Sequence, residues 1–472
     1  MTTPLHEILS QLDDSLLVVQ GSVKIKNPAR FREVVYKLAE ISALKTGQEQ
    51  GLARYLTRCA AFELGIYPAS INSLYLARGR GEIPFTFTTP AFNLRVMSFD
   101  AARAMFRAAK SMDAGAFIFE IARSEIGYTE QRPAEYATSI LAAAIAEGYK
   151  GPVFIQGDHF QVSSKRYGSD PQSEIEALRA LIREAIAAGF FNIDVDTSTM
   201  VDLNQATVAA QQILNNQLSA MFTTYIRAVQ PHGVEISIGG EIGEVGGHNS
   251  TEEELRAYLN GFQGELNNQI TGINGLSKIS IQTGTSHGGV VLPDGTIAQV
   301  SVDFDTMLKL SRIARNDYGL GGAVQHGAST LPEDAFGKFV EAEACEVHLA
   351  TNFMNMFYDL ISDDFRKEIY AFLDEKFASE RKPEMTDEQF YYKTRKSAVG
   401  PFKAKSWHME PEYKEKVNKA WETQFKKLFH LLGLEGTKKY VDKCIQTVEV
   451  KPDLKYYLGE AATAEDVSDL AD

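Results

Sequence analysis

PVFIQGDH (Pro152 to His159) and FFNIDVD (Phe190 to Asp196), joined by a helical stretch over Ser173 to Ala188, decide the fold of this chain. Each is a short apolar run that ends on an acidic or imidazole side chain, and each is followed by a longer segment with helical spacing. The same unit recurs on both sides. FTFTTPAFN (Phe85 to Asn93) precedes a helix over Asp100 to Lys110, and GAFIFEI (Gly115 to Ile121) precedes Pro133 to Gly148. FFNIDVD itself leads into Leu203 to Ala228, and VEISIGGE (Val234 to Glu241) into Glu252 to Leu259. KISIQTGTSH (Lys278 to His287), GAVQH (Gly322 to His326) and CEVHLA (Cys345 to Ala350) lead into Phe304 to Arg315, Glu333 to Glu343 and Asn352 to Leu360.

Strands that are apolar throughout and are joined by helices form a parallel sheet covered on both faces. Eight such units over ~270 residues is the size of a closed barrel, so the expected fold class is α/β, a (β/α)8 TIM barrel with helical N- and C-terminal extensions. An open doubly wound sheet competes, but no GxGxxG or P-loop follows the first strand. The expected sections are a helical extension over 1–80, a catalytic barrel over 81–360 and a lysine-rich helical extension over 361–472. The stripe Leu5, Ile8, Leu9, Leu12 and those through Tyr36 to Leu56 give the first section its helical reading.

The 472 residues are 44% hydrophobic and 23% charged, with Gly 36 and Pro 15, which is ordinary globular usage. Lys plus Arg is 48 against 62 Asp plus Glu, a net charge of −14. Such a surface repels phosphate backbones, so no nucleic-acid or membrane partner is expected, while a local basic pocket for a small anion remains open. Three scattered cysteines, Cys59, Cys345 and Cys444, form no disulfide framework and suit a reducing, cytoplasmic compartment. The acidic start MTTPLHEILSQLDDSLL does not read as a signal peptide, and no apolar run approaches the ~18 residues of a membrane span.

In a barrel the working face lies at the carboxyl ends of the strands. The polar residues ending the apolar runs are Asn93, Glu120, Asp158, His159, Asp196, Glu241, His287, His326 and His348. A lone strand-end histidine is commonly a hydrogen-bonded structural residue. Three on one rim, His159, His287 and His326, favour a divalent metal with an open position for substrate. Asp158 and His159 are consecutive, so a regular strand would turn them to opposite faces; at a strand end they can splay, one to the metal and one to substrate. A carboxylate there suits proton transfer from a hydroxyl. Glu241 is a further metal ligand or a loop hydrogen-bond acceptor, and Asp196, before TST, competes with an N-cap role. GTSHGG and HGAST read as amide nests for phosphate or as tight turns.

PAFN at Pro90, GDHF at Gly157, GFFNIDVDTS at Gly189, GGEIGEVGG at Gly239, GTSHGG at Gly284, HGAST at His326 and VHLAT at Val347 stand in one order over Ile83 to Tyr358. The set resembles the class II, metal-dependent ketose-bisphosphate aldolases, of the fructose- and tagatose-bisphosphate type. FEIARSEIGYTEQRP (Phe119 to Pro133) is closer to the longer tagatose-bisphosphate aldolase subunit branch. The resemblance implies His159, His287 and His326 as zinc ligands, Glu241 as an alternate ligand, Asp196 as a second-site acid and Asp158 as the proton shuttle on the C4 hydroxyl. It implies Zn2+ or another divalent cation, with a monovalent cation as an optional companion. A phosphorylated sugar would be the partner molecule, one product being dihydroxyacetone phosphate. Its phosphate would lie on Gly288, Gly327, Ser329 and Thr351, with Asn93 meeting substrate, and the protein would be a homo-oligomer.

Three departures concern the substrate. HGAST stands for the family's HGGSG, so Ala328 is expected to crowd the phosphate loop. His348 stands for an asparagine and is counted with the substrate contacts, with Ala350 following. His248 and Asn249 replace acidic residues after Glu241, leaving Glu244 or the Glu252–Glu254 cluster as the C3 proton acceptor, although Thr251 and Glu254 also form a capping box. The basic loop Arg395, Lys396, Lys403 and Lys405 is either a distal phosphate contact or a solvated face. A metal-dependent epimerase or aldolase on a different sugar, and a non-catalytic partner subunit of an aldolase, are the alternative functions.

Overall fold

The computed structural model describes residues 3–243, 248–284, 292 and 301–459. Eight parallel strands close into a barrel: Thr89–Asn93, Ile118–Ala122, Gly151–Gln161, Asn192–Asp196, Ser237–Glu241, Lys278–Ile281, Ala323–Gln325 and Glu346–Leu349. Each pairs with its neighbour in sequence. The eighth returns to the first through His348 opposite Ala91 and Leu349 opposite Phe92, which closes the ring. All eight strands expected from the apolar runs are present, and helices stand between them. No described helix is long and apolar enough to cross a membrane.

The N-terminal section differs from its helical reading. Leu16–Val19 and Ser22–Ile25 form an antiparallel hairpin, Leu16 opposite Ile25, whose two-residue loop is Gln20 and Gly21, both at positive φ. That is the backbone a tight hairpin demands. Ile66–Ala69 adds a ninth strand beside the first half of Gly151–Gln161, where Asn192 has not yet begun to pair. The Asn192 side chain joins the two, accepting from the Ile71 amide at 2.8 Å and donating to the Ala69 carbonyl. Both features fall outside the helical stripes Leu5 to Leu12 and Tyr36 to Leu56, in runs of four residues too short for their period to tell strand from helix. The helix expected from Leu203 starts later, with the short Val208–Gln211 followed by Ile213–Val229; Asp202 instead accepts hydrogen bonds from Asn204 and Gln205 in a turn.

One hydrophobic core runs from Ile8 to Leu434 through all three sections. The C-terminal section seals the outside of the barrel with Pro411–Leu431, which buries Val417, Trp421, Phe425, Leu428 and Phe429. Phe425 stacks on Phe353 at 4.5 Å between ring centres and meets Phe92 of the first strand edge-on at 5.1 Å. The Trp421 indole donates to the Phe353 carbonyl at 3.1 Å. Because Phe92 points outward, its neighbour Asn93 points into the barrel, so this packing fixes the face on which Asn93 works. Phe425→Ala should therefore cost about 3–5 kcal/mol of unfolding free energy in denaturant titration; a loss below about 1 kcal/mol would contradict this packing.

Candidate active site

The barrel interior is polar where most barrels carry branched apolar side chains. Strand residues two apart share a face, and the inward face carries Gln156 and Asp158, Asp194 and Asp196, Gly239 and Glu241, Lys278 and Ser280, Glu346 and His348. In the lower layer Lys278 Nζ lies 2.9 Å from Asp194 Oδ1, donates to Gln156 Oε1 at 2.8 Å and contacts Glu346 Oε1. Gln156 Nε2 donates to Glu120 Oε2 at 2.9 Å and to Glu346 Oε1 at 3.0 Å, and the Tyr75 hydroxyl donates to the other Glu346 oxygen. A Cβ on Gly239 would stand 2.3 Å from Asp194 Oδ1 and 2.9 Å from Lys278 Cε, so only glycine leaves room for this ion pair.

His348 connects that layer to the rim. Its Nε2 lies 2.7 Å from Glu346 Oε1, and its Nδ1 lies 3.2 Å from both Glu120 Oε1 and Asp158 Oδ1. Burial opposes charge on this ring, but Glu120 and Asp158 outweigh it and hold its pKa well above the usual imidazole value. Burial and the neighbouring Asp158 push the Glu120 carboxyl up to about 8. For Asp158, burial is outweighed by His159 and His348, which hold the carboxyl well below the usual range. Asn93 Nδ2 fixes the other Asp158 oxygen at 2.8 Å and donates to Glu125 Oε2 at 2.9 Å.

Asp158 and His159 separate through a bulge. Gly157 pairs with Ile193 and Phe160 with Val195, so the third strand carries one extra residue, and His159 takes φ +39°. The Phe160 ring folds back under Gly157, where a Cβ would lie 2.4 Å from it. The bulge turns both polar side chains toward the cleft. His159 Nδ1 lies 3.1 Å from Asp196 Oδ2 and 3.4 Å from Glu241 Oε2. Asp196 Oδ2 also accepts from Gln161, while Oδ1 accepts from the Ser198 amide and hydroxyl. Its carboxylate is thus occupied in orienting the ring and turning the chain; the following 3-10 turn Ser198–Met200 has no side-chain cap. The His326 ring is 4.3 Å from that of His159 and 4.0 Å from that of His348, with Nε2 2.8 Å from Ser280 Oγ.

The ligand atoms of His159, Glu241 and His326 lie within 4.8 Å of one another, close enough to share one ion. Two imidazole nitrogens and a carboxylate suit a divalent transition metal. Burial and the nearby Asp196 raise the Glu241 carboxyl to about 7. Asp158, His326 and His348 form an adjoining set, and Glu120, Asp194, Glu346 and His348 a deeper one that Lys278 neutralises. His287, Gly288 and Glu244 lie outside the described residues.

The cleft above is lined by Asn93, Arg95, Asp158, His159, His326, Gly327, Ser329, Thr330, His348, Ala350 and Thr351. Gly327 at φ +67° opens the 3-10 turn Ala328–Thr330, and Ser329 Oγ accepts from the Ala350 amide at 2.6 Å. Thr351 begins the helix Thr351–Leu360, whose first amides have no side-chain cap among the described residues. Ala328 is fully buried in the core and does not line the cleft, so it does not crowd the loop.

Glu252 and Glu254 stand elsewhere. Glu252 pairs with Arg256 and Lys309, and Glu254 closes the capping box with Thr251. Arg395 is buried between the Tyr358 and Tyr392 rings, Lys403 binds Glu135 and Lys405 binds Glu368. Of the basic loop, Lys396 turns toward the cleft side, over the Tyr128 ring. Sequence reading gave no role to Arg95, Glu125, Gln156, Asp194, Lys278 or Glu346. Alternation inside NIDVD and EVHL is the signal that marks two of them, Asp194 and Glu346.

The described fold agrees with known structures. The fructuronate-tagaturonate epimerase UxaE from Cohnella laeviribosi aligns with a TM-score of 0.54 at 13% identity, covering 90% of each chain. A "probable tagatose 6 phosphate kinase" from Sinorhizobium meliloti 1021 aligns with a TM-score of 0.51 at 16% identity, over 76% of this chain and 100% of that one. Fructose-bisphosphate aldolase from Campylobacter jejuni aligns with a TM-score of 0.47 at 16% identity, over 79% and 97%. At these identities the likeness concerns the fold. No curated protein sequence matches. The family described as fructose-bisphosphate aldolase class-II matches residues 86–436, most of the chain and the whole of the barrel, and the chain belongs to that family.

Proposed function

We propose that the chain is a metal-dependent aldolase that cleaves and forms the C3–C4 bond of a ketose bisphosphate. The observation carrying this reading is the Asp158 carboxylate, held by Asn93 and His348 beside the paired His159 and His326 rings. His159, His326 and Glu241 would hold the cation, with His287 as the ligand expected from the sequence. When bound, a divalent cation there polarises the ketose carbonyl and stabilises the charge that develops as the bond breaks. Asp196 acts through His159: by engaging Nδ1 it leaves Nε2 as the nitrogen presented to a metal.

Asp158 takes the proton from the C4 hydroxyl. The C4 oxygen then becomes the aldehyde, and the C3–C4 electron pair passes toward the C2 carbonyl. A proton returned to C3 completes dihydroxyacetone phosphate. A carboxylate well below the usual range is ionised at neutral pH and available as that base. Gly327, Ser329 and Thr351, with the uncapped amides of the following helix, would receive a phosphate.

A second reading, an epimerase or aldolase on an acidic sugar, draws on His348. It places an imidazole 3.2 Å from Asp158 where the resemblance expects asparagine, adding a proton-carrying group that bond cleavage alone does not need. The epimerase likeness over 90% of both chains, extensions included, is consistent with it. Turnover measured across ketose bisphosphates and ketouronates separates the two.

Asp158→Asn should retain bound metal and lower kcat by about 100-fold or more; near-normal turnover would remove it from the reaction. Metal affinity of the metal-free protein should fall more than about ten-fold between pH 7.5 and pH 6, because the Glu241 carboxyl with its pKa of about 7 takes up a proton and the His159 ring, kept protonated, against its burial, by Asp158 and Glu241, must lose one to bind the ion. Glu241→Gln should bind more weakly and less steeply with pH. An identical slope in both proteins would exclude Glu241 as a ligand.

A further inference from the structure

Arg95 stands two residues past Asn93, in the loop after the first barrel strand, with a side chain only 7% exposed. Its Nε pairs with Glu125 Oε1. Neither Nη1 nor Nη2 makes a hydrogen bond among the described residues, yet the guanidinium lines the same cleft as Asp158, Ser329 and Thr351. These terminal nitrogens are donors open at the cleft wall and available to a ligand. Glu125 cannot do more: its second oxygen already accepts from Asn93 Nδ2 and from the Ala122 amide at 2.8 Å.

A second idle donor faces the same space. Thr330 lines the cleft from the turn after the seventh strand, and its hydroxyl is buried with no hydrogen bond among the described residues. The Tyr128 hydroxyl, within electrostatic reach of Arg95, is likewise buried without one. The C-terminal section adds positive charge behind them. It docks where the Gly400 amide donates to the Tyr128 carbonyl at 3.1 Å, and this brings Lys396 Nζ to 5.5 Å from the Tyr128 ring centre. The first and eighth strands are neighbours, so Arg95 and the Ser329–Thr351 region flank one gap.

We propose that Arg95 and Thr330 form an anion clamp across this gap, and that the substrate therefore carries a terminal phosphate or carboxylate which the guanidinium fork engages. Arg95 suits both groups, because its planar donors match two oxygens at once. The proposal rests on the cleft being the substrate site of the aldolase reading, and it assigns the recognition of substrate charge to two side chains in addition to the backbone amides of the nest.

The test is calorimetric titration of metal-loaded wild type, Arg95→Gln and Thr330→Val with inorganic phosphate, a six-carbon aldonate and a neutral hexitol at fixed ionic strength. The clamp requires Arg95→Gln to weaken at least one anion ten-fold or more and Thr330→Val to weaken the same anion about three-fold, with hexitol binding unchanged. Which anion responds distinguishes phosphate from carboxylate. Anion affinities equal to wild type in a folded Arg95→Gln protein would overturn the proposal. So would a wild type that binds neither anion better than hexitol. If Arg95→Gln does not fold, Thr330→Val decides by the same criterion. Ketose turnover by wild type is measured separately: anion binding lost in the variants but no turnover on any ketose would refute the aldolase reading and leave the clamp standing.

Discussion

Everything at the rim depends on how the barrel tolerates acid in its interior. Glu120, Asp194 and Glu346 are buried inside a closed ring of strands, and unpaired carboxylates there would carry a large desolvation cost. Lys278 pairs with Asp194 and Glu346, while Gln156 donates to Glu120 and Glu346 and Tyr75 to Glu346. Removing one member of such a set strands the others, which is far more damaging than the net value of the pair suggests. The set is worth that risk because His348 stands on it. Glu346 holds one ring nitrogen, and the other is thereby aimed at Asp158. The carboxylate proposed as the base is positioned by a column of charge that begins at the bottom of the barrel.

The bulge at Gly157 is the second device. A regular strand would have sent His159 outward into the helical layer. One extra residue, a left-handed backbone at His159 and the Phe160 ring packed under Gly157 bring the proposed base and the proposed metal-binding ring to the same cleft. Asp196 and Glu241 then meet His159 from the next two strands. A single distortion therefore sets the two proposed roles side by side, and the C-terminal section packs against the surrounding elements: Phe425 outside Asn93, and Gly400 against Tyr128.

The barrel was legible because buried parallel strands leave apolar runs that end on polar residues; PVFIQGDH and FFNIDVD carry both signals. The rim residues Asn93, Asp158, His159, Asp196, Glu241, His326 and His348 were legible for the same reason, and the described structure gathers them at one end of the barrel. The charged lower layer was hidden by that very reading. Asp194 and Glu346 sit inside runs taken as apolar throughout, and Lys278 opens its strand, where a lysine reads as solvated. Arg95 was overlooked because it falls just beyond a strand end, and only packing reveals that its guanidinium turns back into the cleft. The hairpin at Gln20 and Gly21 was missed because its strands are too short for their period to tell strand from helix.

The central claim is that imidazole rings from separate strands share one divalent ion beside Asp158. X-ray absorption at the zinc edge of the zinc-loaded protein tests it most directly. The account predicts a shell of nitrogen and oxygen atoms at about 2.0–2.1 Å with the multiple-scattering signature of imidazole, diminished when His326 is replaced by alanine. A shell of water and carboxylate oxygens alone, or one unchanged by that replacement, would contradict it.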